Sequence, residues 1–154
     1  MKGSIICGVD GSDESRAALR VAAHLADSLD LRLVIAHVSP AQAYASGLDP
    51  QAPPIISAWD LSRASERLLE RVAELEAIPN AERRALHGLP AERLADLADE
   101  EGGQVIVVGS RGRGAFKSAF LGSVSSDVIG LARCPVLVVP RGVSAAAAAA
   151  DMSV

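Results

Sequence analysis

The chain has 154 residues, 49% hydrophobic and only 3% aromatic, with a formal net charge of −4. That length suits one domain with a core of Val, Leu, Ile and Ala. The acidic balance excludes a general nucleic-acid surface, and no basic cluster offsets it, since Lys2 and Lys117 are the only lysines.

Lys2 to Val9 is predicted as a first strand. The N-terminus enters it directly, without a charged and then apolar leader, and no apolar run approaches the ~18 residues of a membrane span. A soluble cytoplasmic protein is the expectation. Asp13 to Leu29 follows with Ala17, Ala18, Val21, Ala22 and Leu25 at helical spacing, and Ser12 stands where an N-cap belongs. Arg32 to Val38 is a second strand. His37 within it reads as a packed core residue rather than a catalytic one.

Ser39 to Ala58 holds Pro40, Gly47, Pro50, Pro53 and Pro54 and shows no clean period. Two readings stay open: a flap over a ligand using Tyr44, or a connector with no ligand contact. Trp59 to Ala77 is predicted as a helix with Leu61, Ala64, Leu68, Leu69, Val72 and Leu75 on its apolar face. Ala81 to His87 makes a short strand, and Glu82-Arg83-Arg84 mark it as an edge. Pro90 suits the first turn of a helix reaching about Glu101, which Gly102-Gly103 stops. Gln104 to Val108 is a buried parallel strand, Asp127 to Arg133 a helical stretch, and Val136 to Val139 a last strand. The tail from Gly142 to Val154, with its six consecutive alanines, is expected to fray. Residues 1–141 then form one domain. Strands alternating with helices imply an open, mainly parallel five-stranded sheet with helices on both faces. Cys7 and Cys134 read as reduced thiols in or beside core strands.

The chemistry concentrates where the fourth strand ends. Gly109-Ser-Arg-Gly112 is followed, nine residues later, by Gly122-Ser123. A glycine-rich turn after a parallel strand is where open α/β sheets bind nucleotides. Glycines bare main-chain N–H groups, and successive amides cradle phosphate. Gly109, Gly112, Gly114 and Gly122 are the candidate cradle. Arg111 and Arg113 either add positive charge beside phosphates or face solvent. Ser123 and Ser125 offer hydroxyls, and Val124 an amide, either to an anion or to capping the helix that follows. Three other motifs fail. Lys117-Ser118 would need glycine at Phe116 for a P-loop, Gly112-Arg-Gly114 lacks the third dinucleotide glycine at Lys117, and no Gly-x-Ser-x-Gly elbow exists.

The spacing Gly-x2-Gly-x9-Gly-Ser resembles the ATP-binding branch of the universal stress protein family. Ile5-Ile-Cys-Gly-Val-Asp10-Gly-Ser12, Val34-Ile-Ala-His-Val38 and Cys134-Pro-Val-Leu-Val-Val-Pro140 resemble its first, second and last strands. The resemblance implies a Rossmann-like fold of the adenine nucleotide alpha hydrolase type. It implies ATP or another adenine nucleotide as ligand, with Mg²⁺ beside the phosphates. It assigns Asp10 to nucleotide binding, through the ribose, the adenine or indirectly the metal; the alternative is a carboxylate favoured by the helix dipole. Gly8 and Val9 would present backbone to the nucleotide, and the backbone of Val38 would meet the adenine edge. The resemblance further implies a homodimer, pairing Val136–Val139 with its symmetry mate. A nucleotide-dependent regulator in stress response follows, with no catalytic residue. A slow Mg²⁺-dependent ATPase or phosphotransferase, and a nucleotide-free dimeric interaction module, are the alternatives.

Overall fold

The computed structural model describes residues 2–40, 57–111 and 121–143. The expectations for the flap with Tyr44, for Gly112, Arg113 and Gly114, and for the alanine-rich tail lie outside those residues. Nine elements alternate: β1 (Ser4–Gly8), α1 (Asp13–Leu29), β2 (Arg32–Ser39), α2 (Ala58–Leu75), β3 (Glu82–His87), α3 (Pro90–Glu101), β4 (Gly103–Gly109), α4 (Ser123–Leu131) and β5 (Val136–Val139). The five strands form one parallel sheet in the order β3-β2-β1-β4-β5.

The central strands β1 and β4 are covered by helices on both faces, which explains their apolar runs, while β3 and β5 at the edges are only partly buried. Two core layers result. Ile5, Cys7, Ile35 and Val107 face α1 and α2, packing on Ala18, Leu19, Ala22 and Leu69. Ile6, Val34, Ile106 and Val108 face the other way, onto Leu94, Leu97 and Val128 of α3 and α4. Cys7 and Cys134 belong to opposite layers and are free thiols. Burial pushes the Cys7 thiol far up, out of the range in which it would ionise.

Local chemistry fixes the helix ends. The Ser12 hydroxyl caps α1 by accepting from the Ser15 amide at 3.2 Å. Ser57 caps α2 in the same way, accepting from Asp60 at 3.1 Å. Pro90 opens α3. The apolar face expected for α2 is shifted: Leu69 and Val72 are buried, but Ala64 and Leu75 are exposed, and Ser65 is buried instead. The cause is polar pairing across the layer. His37 Nδ1 lies 2.8 Å from Ser65 Oγ, and His87 lies between Ser39 and Ser62 at 2.6 and 2.9 Å. Glu76, just past α2, accepts from Arg16 at 2.6 Å and Arg20 at 2.8 Å on α1. At the amino ends of β2 and β3, Arg32 and Arg84 each bridge Glu82 to Glu101.

Candidate functional site

The strand order places the reversal of winding between β1 and β4, so their carboxyl ends flank a crevice. Of the residues singled out in the sequence, Gly8, Val9, Asp10, Val38, Gly109, Arg111 and Gly122 to Ser125 are described, and they lie at the ends of β1, β2 and β4 and at the start of α4.

From β4, the chain leaves Gly109 into Ser110. The Ser110 amide donates to the Val139 carbonyl at 2.9 Å, continuing the sheet by one rung. Its carbonyl points the other way and accepts from the Gly122 amide at 2.7 Å. The buried Ser125 hydroxyl lies 3.2 Å from the same oxygen and 3.0 Å from the Gly122 carbonyl. The two separated halves of the glycine signature are therefore joined through Ser110, a residue the sequence pattern passed over.

Helix α4 begins at Ser123, four residues before the expected start at Asp127, and ends at Leu131 rather than Arg133. Ser123 to Ser126 belong to its first turn, not to a loop. Gly122 occupies the N-cap position and supplies no side-chain cap, so the positive end of the helix is presented at the bend. Ser123 is exposed and Val124 half-buried. Ser125 differs from the expectation of a phosphate-facing hydroxyl, because its proton is committed to holding the bend together.

Gly109 is glycine for a packing reason. A Cβ there would lie 2.9 Å from the Glu14 carbonyl carbon and 3.0 Å from its oxygen. Main chain cannot yield as a side chain can, so β4 touches the first turn of α1 only without a Cβ. Gly122, by contrast, has room, since its Cβ would meet Ser110 O at 3.4 Å and Arg111 Cα at 3.5 Å. Arg111 is half-buried beside it.

On β1 the expectation that Gly8 and Val9 present backbone is narrowed. A Cβ on Gly8 would strike Leu94 Cδ1 at 2.8 Å, so the glycine accommodates α3. The Val9 amide is spent on the Ala36 carbonyl at 2.8 Å. Asp10 follows, half-buried. Its Oδ1 accepts from the Ser12 amide at 2.9 Å, and its own amide donates to Ser15 Oγ at 3.3 Å. One carboxylate oxygen thus shapes the bend that opens α1.

Val38 lies two residues past the last β1–β2 rung, Gly8↔Ala36. In a parallel strand the backbone groups of alternate residues point to the same side. Ala36 directs its carbonyl to β1, where Val9 meets it, and Ser39 directs its own to β3, accepting from Gly88 at 2.9 Å. Val38 therefore turns its amide and carbonyl toward the β1 side, beyond the point where β1 has ended.

The ensemble combines two helix N-termini, those of α1 and α4, with a strand edge carrying one N–H and one C=O. Main-chain donors with a positive dipole suit a polyphosphate. An outward-turned N–H and C=O pair suits the donor–acceptor edge of a purine base. Among the described residues, no group of three or more His, Cys, Asp or Glu side chains could hold a metal ion, and no helix is long and apolar enough to cross a membrane.

Known proteins share this fold. A universal stress protein of Thermus aquaticus is 35% identical over 143 residues, covering 88% of this chain and 97% of its own. UspA from Lactobacillus plantarum superposes with a TM-score of 0.70 at 24% identity, covering 90% of this chain and 97% of its own. A universal stress protein crystallised in complex with cAMP superposes with a TM-score of 0.65 at 25% identity, covering 90% and 97%. The model of the universal stress protein family matches residues 1–140, and the chain belongs to that family.

Proposed function

We propose that this chain binds an adenine nucleotide, ATP foremost, and acts as a nucleotide-dependent regulator in stress response rather than as an enzyme. The observation that carries the reading is the Ser110 carbonyl, which ties the end of β4 to the start of α4 and so brings both glycine bends to one crevice. In this reading Val38 meets the adenine through its backbone, and Asp10 contacts the ribose. The amides of Ser123 and Val124 take the phosphates with Gly122, and Arg111 adds charge. Gly112, Arg113 and Gly114 join them on sequence grounds. The cAMP complex of a relative supports an adenine ligand. Mg²⁺ would neutralise charge on the phosphates, held mainly by their oxygens, with Asp10 acting indirectly.

The Asp10 carboxylate accepts from the Ser12 amide through Oδ1 and so serves the bend that opens α1, which supports a sensor over a hydrolase. The outer edge of β5 supports a homodimer. Leu137 is exposed there, and pairing the strand with its symmetry mate would satisfy its unpaired backbone. A cytoplasmic location fits this role. The decisive experiment is mass spectrometry of ligand released from purified protein, with thermal unfolding at rising ATP. Saturation at ~100 times Kd adds about 2.7 kcal/mol. Absence of both a released nucleotide and a thermal shift would sink the reading. Steady Mg²⁺-dependent phosphate release would replace the sensor with a slow ATPase.

A further inference from the structure

A cleft of about 680 Å³ opens between the N-terminal turns of α3 and α4. Its volume falls within the range of ligand-binding clefts. Leu89, Pro90, Val124 and Leu131 give it apolar walls, and Glu92 and Asp127 also line it. Leu89 and Leu131 are 63% and 49% exposed, although both are large and apolar.

Charge around the cleft is one-sided. The two helices carry six carboxylates, five on α3 and Asp127 on α4, against the single Arg93. Glu101 is taken by Arg32 and Arg84, Asp99 by Arg133, and Asp96 by Arg93. The two that line the cleft enter no ion pair among the described residues. The helix dipole accounts for Glu92, in the first turn of α3, but not for Asp127, which sits a full turn inside α4. Carboxylates held beside exposed leucines complement a segment that is apolar and cationic at once.

We infer that this cleft docks a basic, leucine-bearing peptide segment of a partner protein. Its apolar side chains enter between Leu89 and Leu131, and its arginine or lysine residues pair with Glu92 and Asp127. The cleft shares Ser123 and Val124 with the α4 turn assigned above to phosphate, so the partner reads the nucleotide state. That coupling alone rests on the proposed function; the docking itself does not. Two ligands touching one helix turn alter each other's affinity by the same factor.

The test titrates isotopically labelled full-length protein with a short synthetic peptide of alternating leucine and arginine, with and without ATP, following backbone amide shifts. Peptide shifts confined to residues 89–92 and 123–131 are expected. The double variant Glu92→Lys/Asp127→Lys should weaken binding at least tenfold, and Glu92→Gln/Asp127→Asn by a smaller factor. Thermal unfolding of both variants checks that they remain folded. Absence of binding, equal binding of a leucine–glutamate peptide, or unchanged affinity in the folded double variant would overturn the proposal. So would cleft shifts that grow with protein concentration alone, which would assign the cleft to a second copy. ATP-induced shifts at Ser110 and Gly122 report the nucleotide site separately, so either site can fail without the other. Peptide affinity unchanged by saturating ATP would remove the coupling and leave the docking.

Discussion

The Gly122 amide donates to the Ser110 carbonyl across 2.7 Å, although eleven residues separate them in the chain. This bond sets the spacing between the end of β4 and the first turn of α4. Because Gly122 has extended, ordinary dihedrals (φ −65°, ψ 164°) and space for a Cβ, a side chain there should leave the fold intact. It would instead occupy the mouth of the bend. Gly122→Val loses a favourable N-cap residue and is expected to cost about 1 kcal/mol of nucleotide-free stability, leaving the chain folded. A tenfold loss of ATP affinity would cut the stabilisation at a fixed ligand concentration from about 2.7 to about 1.4 kcal/mol. Thermal unfolding with and without ATP measures both.

Gly109 should behave in the opposite way. Its Cβ would sit 2.9 Å from the Glu14 backbone, so Gly109→Ala forces α1 and β4 apart. Overpacking of this kind costs about 1–3 kcal/mol without any ligand present. Urea unfolding should show a lower midpoint at unchanged slope. An unshifted midpoint would mean that the contact is looser than described.

The β5 edge can be tested without disturbing β4. The Pro135 and Val139 carbonyls accept from Ile106 and Ser110, so residues 135, 137 and 139 turn their backbone toward β4. Val136 and Val138 turn theirs outward. Val138→Pro removes an outward N–H while sparing the β4 ladder. Sedimentation equilibrium should find the unaltered chain dimeric and the variant monomeric, each still folded by circular dichroism.

Glu76 gives a prediction with a sign in pH. Burial alone would raise its carboxyl, but hydrogen bonds and charge from Arg20 and Arg16 outweigh it and hold it below the usual range. A lowered folded-state value means the contribution is present above the unfolded value of about 4.3 and lost as pH falls through the folded one. Its side chain is 5% exposed, but Arg16 and Arg20 are 31% and 39% exposed, so solvent screens part of the pair. Glu76→Gln is expected to cost about 1–3 kcal/mol at pH 7. The gap to the unaltered protein should narrow progressively as pH falls below the unfolded value of about 4.3. Chemical unfolding at pH 7, 5 and 3.5 would show it, and a constant gap would refute the assignment.

Much of this architecture was legible because single-residue chemistry declares itself. Ser12, Pro90 and the apolar run of β5 marked boundaries that the structure reproduces for α1, α3 and β5. What escaped depended on partners distant in sequence. Ser65 looks solvent-facing until His37 stands opposite it, and Leu75 looks internal although it is exposed as the last residue of α2. The early start of α4 was hidden because three serines read as loop, whereas the Ser110 carbonyl anchors them as a helical turn. Gly8 and Gly109 read as baring backbone to a nucleotide, and nothing in the sequence signals a packing role. That Leu94 and the Glu14 backbone are what approach them is a fact of tertiary packing. Ser110 carried no signal at all, since its role belongs to a carbonyl that every residue possesses.

The Arg32–Glu82–Glu101–Arg84 lattice closes the rim opposite the crevice. The molecule consequently separates two burdens that many small domains must carry in one place. One rim registers the strands through paired charges and short αβ bends, and the other carries the Asp10 bend and the Ser110–Gly122 junction of the proposed site. Substitutions in the proposed site can therefore accumulate along the upper rim while strand alignment is inherited unchanged from below.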